Sequence, residues 1–278
     1  MTAPAINSLF AECELTPAQF VRITEVLHEH AGIRMREGKE GLVRARLTKR
    51  LRKLGLADFD AYLDYIEKDG TRKEFAEMID ALTTNKTSFL REASHFDFLR
   101  TTVFPALNGP VRIWSAGCSS GEEPYTLAML CNESFPDIAT RDVKILSTDI
   151  SHRVLAHAKA GAYPAENMGD VPAAWLQKYW TRKQDAQGRS VFEAEKSLRR
   201  LVHFAKLNLM ERWPMQGPFD AILCRNVMIY FDKATQQQLV ERYWQLLRPG
   251  GYLFVGHSES LTGLAHKFRY VQPAVYVK

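Results

Sequence analysis

The chain has 278 residues, long enough for two domains or for one large domain with an appendage. Its 46% hydrophobic and 25% charged residues are those of an ordinary globular protein, and no apolar run reaches the roughly 20 residues of a membrane-spanning helix, so membrane insertion is excluded as a reading. The net charge of +5 is mild, but it is unevenly spread along the chain.

The first segment, MTAPAINSLFAECELT, has no basic region followed by an apolar stretch, so no secretory leader is expected and the chain reads as cytoplasmic. Thr16-Pro17 then supplies a helix cap and a first-turn proline, and AQFVRITEVLHEHAG repeats apolar residues at helical spacing up to Gly32. EGLVRARLTKRLRKLGL predicts a second helix ending at Gly55, with Val43, Leu47, Leu51 and Leu54 on one stripe. Further helices are expected at 58–68 and 72–84, which makes the first 88 residues a helical domain, and another helix at 92–107 closes a linker over 89–110. After Asn108-Gly109-Pro110 the pattern changes to strands alternating with helices, the signature of a parallel sheet with crossovers. The expected strands are 111–116, 143–148, 201–207, 219–224 and 251–256, with 270–277 as a final edge partner. Residues 180–200 break the alternation, with a turn signal at Gly188 and short strand-like pieces, and read as a small antiparallel insertion. Cys13, Cys118, Cys131 and Cys224 are far apart and lack metal-ligand spacing, so reduced thiols and no metal site are expected.

The segment WSAGCSSGEEPY, residues 114–125, is a glycine-bearing turn between a strand and a helix that begins near Glu122, the position at which backbone N–H groups and a helix end meet a ligand. Gly117 and Gly121 permit positive φ or close approach. Ser119 stands where a dinucleotide fingerprint would have its middle glycine, and no Gly-Lys-Ser/Thr follows, so pyrophosphate and P-loop binding are both disfavoured. Glu122 and Glu123 would repel phosphate but suit a cofactor with hydroxyls, an amine and a sulfonium centre, such as S-adenosylmethionine. The same acids also favour a helix start without any ligand. Ligands of such sheets lie beyond the carboxyl ends of the strands, which directs attention to Asp149, Asn208 and Arg225-Asn226. Asp149 is placed to grip a ribose diol, or alternatively to cap the helix that starts near Ser151.

ALTTNKTSFLRE, WSAGCSSGEEPY, LSTDIS, LNL, GPFDAILCRNVMIYFD and LLRPGGYLFVGHSES, in that order, resemble the chemotaxis receptor methyltransferase family, the protein-glutamate O-methyltransferases. The resemblance spans nearly the whole chain. It implies an α/β fold: a Rossmann-like, S-adenosylmethionine-dependent methyltransferase sheet over 111–278, an inserted small antiparallel β-subdomain near 180–200, and an all-helical N-terminal domain over 1–88. It implies methyl transfer from S-adenosyl-L-methionine, leaving S-adenosyl-L-homocysteine, to glutamate side chains of receptor signalling helices in bacterial chemotaxis adaptation. Cofactor contacts implied by the resemblance fall on Asn85, Thr87, Arg91, Glu123, Asp149, Asn208, Leu209, Arg225 and Asn226, with Gly117 in the loop, and Tyr230 matches the tyrosine near the transferring methyl. Arg91 and Tyr230 are the expected catalytic pair.

Arg44, Arg46, Lys49, Arg50, Arg52 and Lys53 crowd one helix. Such a run is usually a solvated face; otherwise it suits phosphates, an anionic membrane or an acidic protein helix. The resemblance implies that Arg46 and Arg52 face the receptor's glutamate-rich segment. It also implies a receptor C-terminal peptide at the β-subdomain of some members, and a regulatory partner stays open. Two alternatives remain at this level: a nucleic-acid methyltransferase, against which stands the absence of a target-base motif, and a non-catalytic adaptor of the same fold.

Overall fold

The computed structural model describes residues 13–278 apart from 70, 72 and 84; the N-terminal stretch read above for a leader, and position 84 within ALTTNKTSFLRE, lie outside them. Contacts divide the chain into two units, one running to residue 84 and taking in Tyr230–Asp232, the other holding the remainder.

The first unit is helical. Helix α1 (Pro17–Ala31) opens on a reciprocal capping box between Thr16 and Gln19 and ends at Gly32, whose φ of 68° is the left-handed conformation that glycine takes without penalty. Its buried residues Phe20, Ile23, Leu27 and Ala31 recur at helical spacing. Helix α2 (Glu40–Leu54) buries Val43, Leu47 and Leu51, and α3 (Phe59–Lys68), capped by Asp58, buries Phe59, Tyr62, Leu63 and Ile66. Helix α4 (Lys73–Leu82) adds Met78, Ile79 and Leu82. One charge of the basic run turns inward: the Arg50 guanidinium bonds Glu74 at 2.9 and 2.6 Å and Glu77 at 2.7 Å, while the Tyr62 hydroxyl donates to Glu74 at 3.0 Å. At 13% side-chain exposure this is a shielded, bidentate tie between α2 and α4, not part of a free cationic face.

The second unit is built on a seven-stranded sheet ordered β6-β2-β1-β7-β8-β10-β9, where β1 is Val111–Ala116, β2 Val143–Asp149, β6 Val202–Lys206, β7 Phe219–Cys224, β8 Leu247–Val255, β9 Arg269–Gln272 and β10 Val275–Val277. The first five of that order run parallel; β10 pairs antiparallel with both β8 and β9, so 270–277 forms a hairpin at the sheet edge. Every residue of β7 is buried, as a central strand covered on both faces requires. Helices α6 (Glu122–Ser134), α7 (His152–Ala160) and α10 (Lys233–Leu246) are the main crossovers.

Two sequence expectations shift. The insertion begins earlier than 180, because Ala162–Pro164 (β3) pairs with Ser190–Ala194 (β5), which pairs with Trp180–Gln184 (β4) in a separate antiparallel sheet. The three-residue β3 is too short to show an alternating pattern in sequence. The helix expected over 92–107 is instead α5 (Ser94–Phe98), a π-helical turn over Leu99–Val103 and a 3-10 turn over Phe104–Ala106. Pro105 has no N–H to continue an α-helical ladder. The remaining short helices are α8 (Ala173–Tyr179) and α9 (Lys196–Arg199).

Candidate active site

Strand order reverses between β1 and β7, and the loops leaving their carboxyl ends meet at that point. Gly117 follows β1 with φ 96°, and a Cβ there would lie 2.4 Å from Val227 Cγ2, so only glycine lets the two loops come this close. The N–H groups of Gly117 and Cys118 both donate to Thr148 O, at 2.8 and 2.9 Å, which fixes the loop to the end of β2. Ser119, at φ 49°, donates its N–H to Asp149 Oδ2 at 2.8 Å and its hydroxyl to Asn85 O at 3.1 Å. Gly121, at φ 101°, caps α6; a Cβ on it would be 2.6 Å from the Tyr163 hydroxyl, which itself donates to Ser120 O at 2.7 Å. The inserted sheet therefore braces the loop through β3.

Asp149 receives N–H groups from Ser119 and Ser151 on its two oxygens, and the cap of α7 is Ser151, whose hydroxyl accepts from Val154 N at 3.2 Å. The alternative that Asp149 is itself the N-cap is thereby set aside. Asn208 is buried in an Asx turn, its Oδ1 accepting from Met210 N at 3.0 Å, and Leu209 is buried beside it with its carbonyl accepting from Trp213 Nε1 and Arg242.

The centre of the site is an ion network. Arg225 leaves the end of β7 with a side chain 3% exposed; its Nη1 donates to Glu123 Oε2 at 2.8 Å, and its Nε and Nη2 to Glu92 Oε2 at 3.4 and 3.2 Å. Its Nη2 also donates to the carbonyl of Arg91. Glu123 takes a second bond from Ser115 Oγ at 2.7 Å, and Glu92 one from Asn226 Nδ2 at 3.2 Å. Burial opposes the charge on Glu92, but Arg225, the His257 N–H and Asn226 outweigh it and hold the carboxyl below its ordinary range. Asn226, at φ 58°, is pinned by Glu259, which accepts from Asn226 N at 2.8 Å, Gly256 N at 2.5 Å and Ile229 N at 3.0 Å. Burial nevertheless pushes the Glu259 carboxyl upward. Glu122, by contrast, is 4% exposed and accepts from Ser120 Oγ, and burial raises it too.

Arg91 lies between Leu90 and Glu92, whose φ values of 54° and 58° are strained for side chains of their size, and its Nη1 donates to Lys86 O at 2.8 Å. Thr87 is half-buried nearby in sequence. The Asn85 amide nitrogen is buried with no hydrogen-bond partner among the described residues. An unmet amide donor is costly in a dry site, and it fits a residue that completes its bonding on a bound adenosyl or methionyl group. With a ribose-competent acid at Asp149, polar Asn208 and no phosphate-type donor set, these residues fit S-adenosylmethionine.

Three of the expected residues belong to the helical unit. Tyr230 ends a 3-10 turn over Met228–Tyr230 and groups with the helical unit, where its carbonyl accepts from Arg34 N at 2.8 Å. Arg46 is half-buried and donates to the last carbonyls of α4, Leu82 O at 2.9 Å and Thr83 O at 3.1 Å, whereas Arg52 is exposed on α2. Sequence reasoning did not single out Glu92, His95 or Glu259, because a buried acid or histidine inside a quoted motif carries no spacing signal of its own. Glu92, His95 and His257 each bring one ligand-type atom within 4.8 Å of the others, but Arg225 already occupies the Glu92 oxygen nearest His95 and its charge opposes a cation there.

Family models match both parts of the chain: "CheR methyltransferase, all-alpha domain" over 18–83 and "CheR methyltransferase, SAM binding domain" over 85–277. The chain is 42% identical over 246 residues to a probable chemotaxis protein methyltransferase of Rhizobium etli, covering 86% of this chain and 91% of that protein. It is 38% identical to the chemotaxis protein methyltransferase of Borreliella burgdorferi with 98% of each covered, and 40% identical to that of Escherichia coli with 94% and 91% covered.

Proposed function

We propose that this chain, which belongs to the chemotaxis protein methyltransferase family, methylates glutamate side-chain carboxylates of chemoreceptor cytoplasmic helices at the site formed beyond β1, β2, β6 and β7. The observation that carries the reading is the convergence of the Gly117–Glu123 loop, Asp149, Asn208 and Arg225-Asn226 at the strand ends, with the Asn85 amide left to be satisfied.

S-adenosylmethionine supplies a methyl group on a positively charged sulfur, which leaves as a neutral thioether without acid assistance. An acceptor glutamate, with an ordinary pKa near about 4.3, is an anion at neutral pH, so the chain has no nucleophile to deprotonate. Its task is alignment: to set a carboxylate oxygen at about 3 to 3.5 Å in near-attack geometry and to strip water from the anion. Arg91 has the chemistry to orient a carboxylate through paired N–H donors, and the Tyr230 hydroxyl has the chemistry to donate to one. Asn85, Asp149, Asn208 and the Asn226 region bind the adenosyl and methionyl ends. Arg225 and Glu123 hold each other, so their part is to fix the loop after β1 against the loop after β7.

Arg52, together with exposed Arg44, Lys49 and Lys53 on α2, offers positive charge to a glutamate-rich helix, and steering of that kind falls with salt. The inserted sheet has β4 at its edge, which supports docking of a receptor C-terminal peptide as an added strand, and through receptors the enzyme would act beside the membrane. The test is to incubate labelled S-adenosylmethionine with receptor-containing membranes. Label on receptor that mild base releases, as from a methyl ester, supports the reading; base-stable label or label on nucleic acid overturns it. Titration of a receptor tail peptide separates tethered from untethered action.

A further inference from the structure

We propose that Glu259 is a positioning residue for methyl transfer, acting as the remote cap of the 3-10 turn that carries Tyr230. The inference rests on the reading that Tyr230 acts on the acceptor carboxylate.

The N–H groups that open a helical turn have no partner inside it. In the Met228–Tyr230 turn they are met by a side chain 30 residues further on: Ile229 N donates to Glu259 Oε1 at 3.0 Å, and Met228 N also bonds this carboxylate. The other oxygen, Oε2, accepts from Asn226 N at 2.8 Å and Gly256 N at 2.5 Å. Four N–H groups fill the acceptor capacity of the two oxygens, and a neutral amide in their place would offer one oxygen and two donors. Glu259 is 9% exposed, and the groups that offset its burial are these same backbone N–H groups. A Cβ on Gly256 would lie 2.4 Å from Asn226 Nδ2 and 2.9 Å from Glu259 Oε2, so the loop after β8 reaches the loop after β7 only with glycine there. Gln236, in the first turn of α10, holds the same turn by its carbonyl side, donating to Met228 O at 2.8 Å.

The two oxygens of Glu259 serve different residues. Asn226 has a second hold, its side chain donating to Glu92 Oε1 at 3.2 Å, and so does not depend on Oε2 alone. The amide on Oε1 belongs to the turn itself, and the residue that follows Ile229 is Tyr230. Loss of that bond releases the start of the turn and moves the Tyr230 side chain, while the strand ends that hold the cofactor stay in place.

The experiment is a double-mutant cycle on the full chain: parent, Glu259→Gln, Tyr230→Phe and the double variant, with turnover of receptor methylation at saturating donor and receptor, and S-adenosylhomocysteine dissociation constants by calorimetry. In Glu259→Gln the amide oxygen can serve Asn226 and Gly256, but the amide nitrogen cannot accept from Ile229. Turnover is therefore expected to fall about tenfold or more, with affinity within about threefold of the parent's. In the Tyr230→Phe background the same substitution is expected to cost less than about threefold, because the hydroxyl being positioned is gone. Equal losses in the two backgrounds, unchanged turnover in Glu259→Gln, affinity falling in step with turnover, or parental turnover in Tyr230→Phe each overturn the proposal while leaving glutamate methylation intact. A parent that transfers no methyl to receptor sinks the reading of the function, and this proposal with it. Should Glu259→Gln not fold, Glu259→Asp goes through the same cycle, since it keeps both acceptor oxygens and draws them back by one methylene: a loss that depends on the Tyr230 hydroxyl supports the proposal, and equal losses overturn it.

Discussion

His95 provides a pH dependence whose size follows from its surroundings. Its ring is fully buried, and neither nitrogen has a hydrogen-bond partner among the described residues, although Nδ1 lies 3.5 Å from Glu92 Oε2. Burial, then the positive charge of Arg225 and the nearby His257, hold the ring neutral against the pull of Glu92, and its pKa falls to about 4 from 6.5. A histidine depressed in this way leaves stability intact above about 6.5 and removes it as pH falls from there through about 4. The gap corresponds to about 3 kcal/mol at 1.36 kcal/mol per pH unit. For a unit of about 190 residues that is roughly 6 to 12 °C in melting temperature. Glu92 adds to the same trend at the acid end, because its contribution is present above the ordinary carboxylate range and lost as pH falls through its depressed value. Melting of the parent and of His95→Leu would be followed by near-ultraviolet circular dichroism from pH 7.5 to 4.5, and the His95 ring by NMR. The leucine variant should start lower but lose less on acidification. A His95 ring that titrates near 6.5, or parallel melting curves for parent and variant, would refute the reasoning.

The other expectations are shorter. Arg91→Ala and Tyr230→Phe should keep cofactor affinity while turnover falls by an order of magnitude or more, as for groups that act mainly in the transition state; parental rates of receptor methylation in either variant would remove its assigned role. Arg52→Glu should raise the receptor concentration needed, more so at low salt, with unchanged cofactor affinity. Arg46→Glu should also lower the stability of the helical unit, by about 1 to 3 kcal/mol, because it takes donors from the carbonyls at the end of α4; a melting temperature equal to the parent's would contradict those contacts. Tyr163→Phe removes the O–H bond to Ser120 O, and donor and product affinities should both fall about fivefold, matching about 1 kcal/mol for a lost hydrogen bond. Calorimetric affinities equal to the parent's would detach β3 from the cofactor loop.

Much of this architecture was legible because it rests on local chemistry that a sequence displays. Thr16-Pro17 and Gly32 bound α1 as cap rules require, and the uninterrupted apolar FDAILC is the buried central strand β7. Strand ends then named Asp149, Asn208 and Asn226 through topology alone. What stayed hidden depends on partners distant in sequence. Arg50 looked like any other member of a basic run until Glu74 met it, and nothing in that run announced that Arg46, expected to face the receptor, would bond the end of α4. Nor does a short strand such as β3 announce itself when its pairing partner lies almost thirty residues on, across the α8 helix.

The most informative misfit is conformational. Propensity rules reserve left-handed backbone for glycine, asparagine and aspartate, yet Leu90, Glu92 and Ser119 adopt it alongside Asn226, and only Ala274 of the described non-glycine residues does so elsewhere. Strain of this kind costs about 1 to 3 kcal/mol per residue and persists only where surrounding contacts over-determine it. Here those contacts are Leu90 N to Thr126 Oγ1, Glu92 to Arg225 and Asn226, Ser119 N to Asp149, and Asn226 N to Glu259. Each strained residue is thus held by a bond to a different element: Leu90 to α6, Ser119 to the end of β2, Glu92 to the residues after β7, and Asn226 to the loop after β8. A loop free to relax would let Arg91 swing with Leu90 and Glu92, since the two strained residues flank it. Fixing both neighbours fixes the backbone of the residue between them, as the alignment proposed for Arg91 requires.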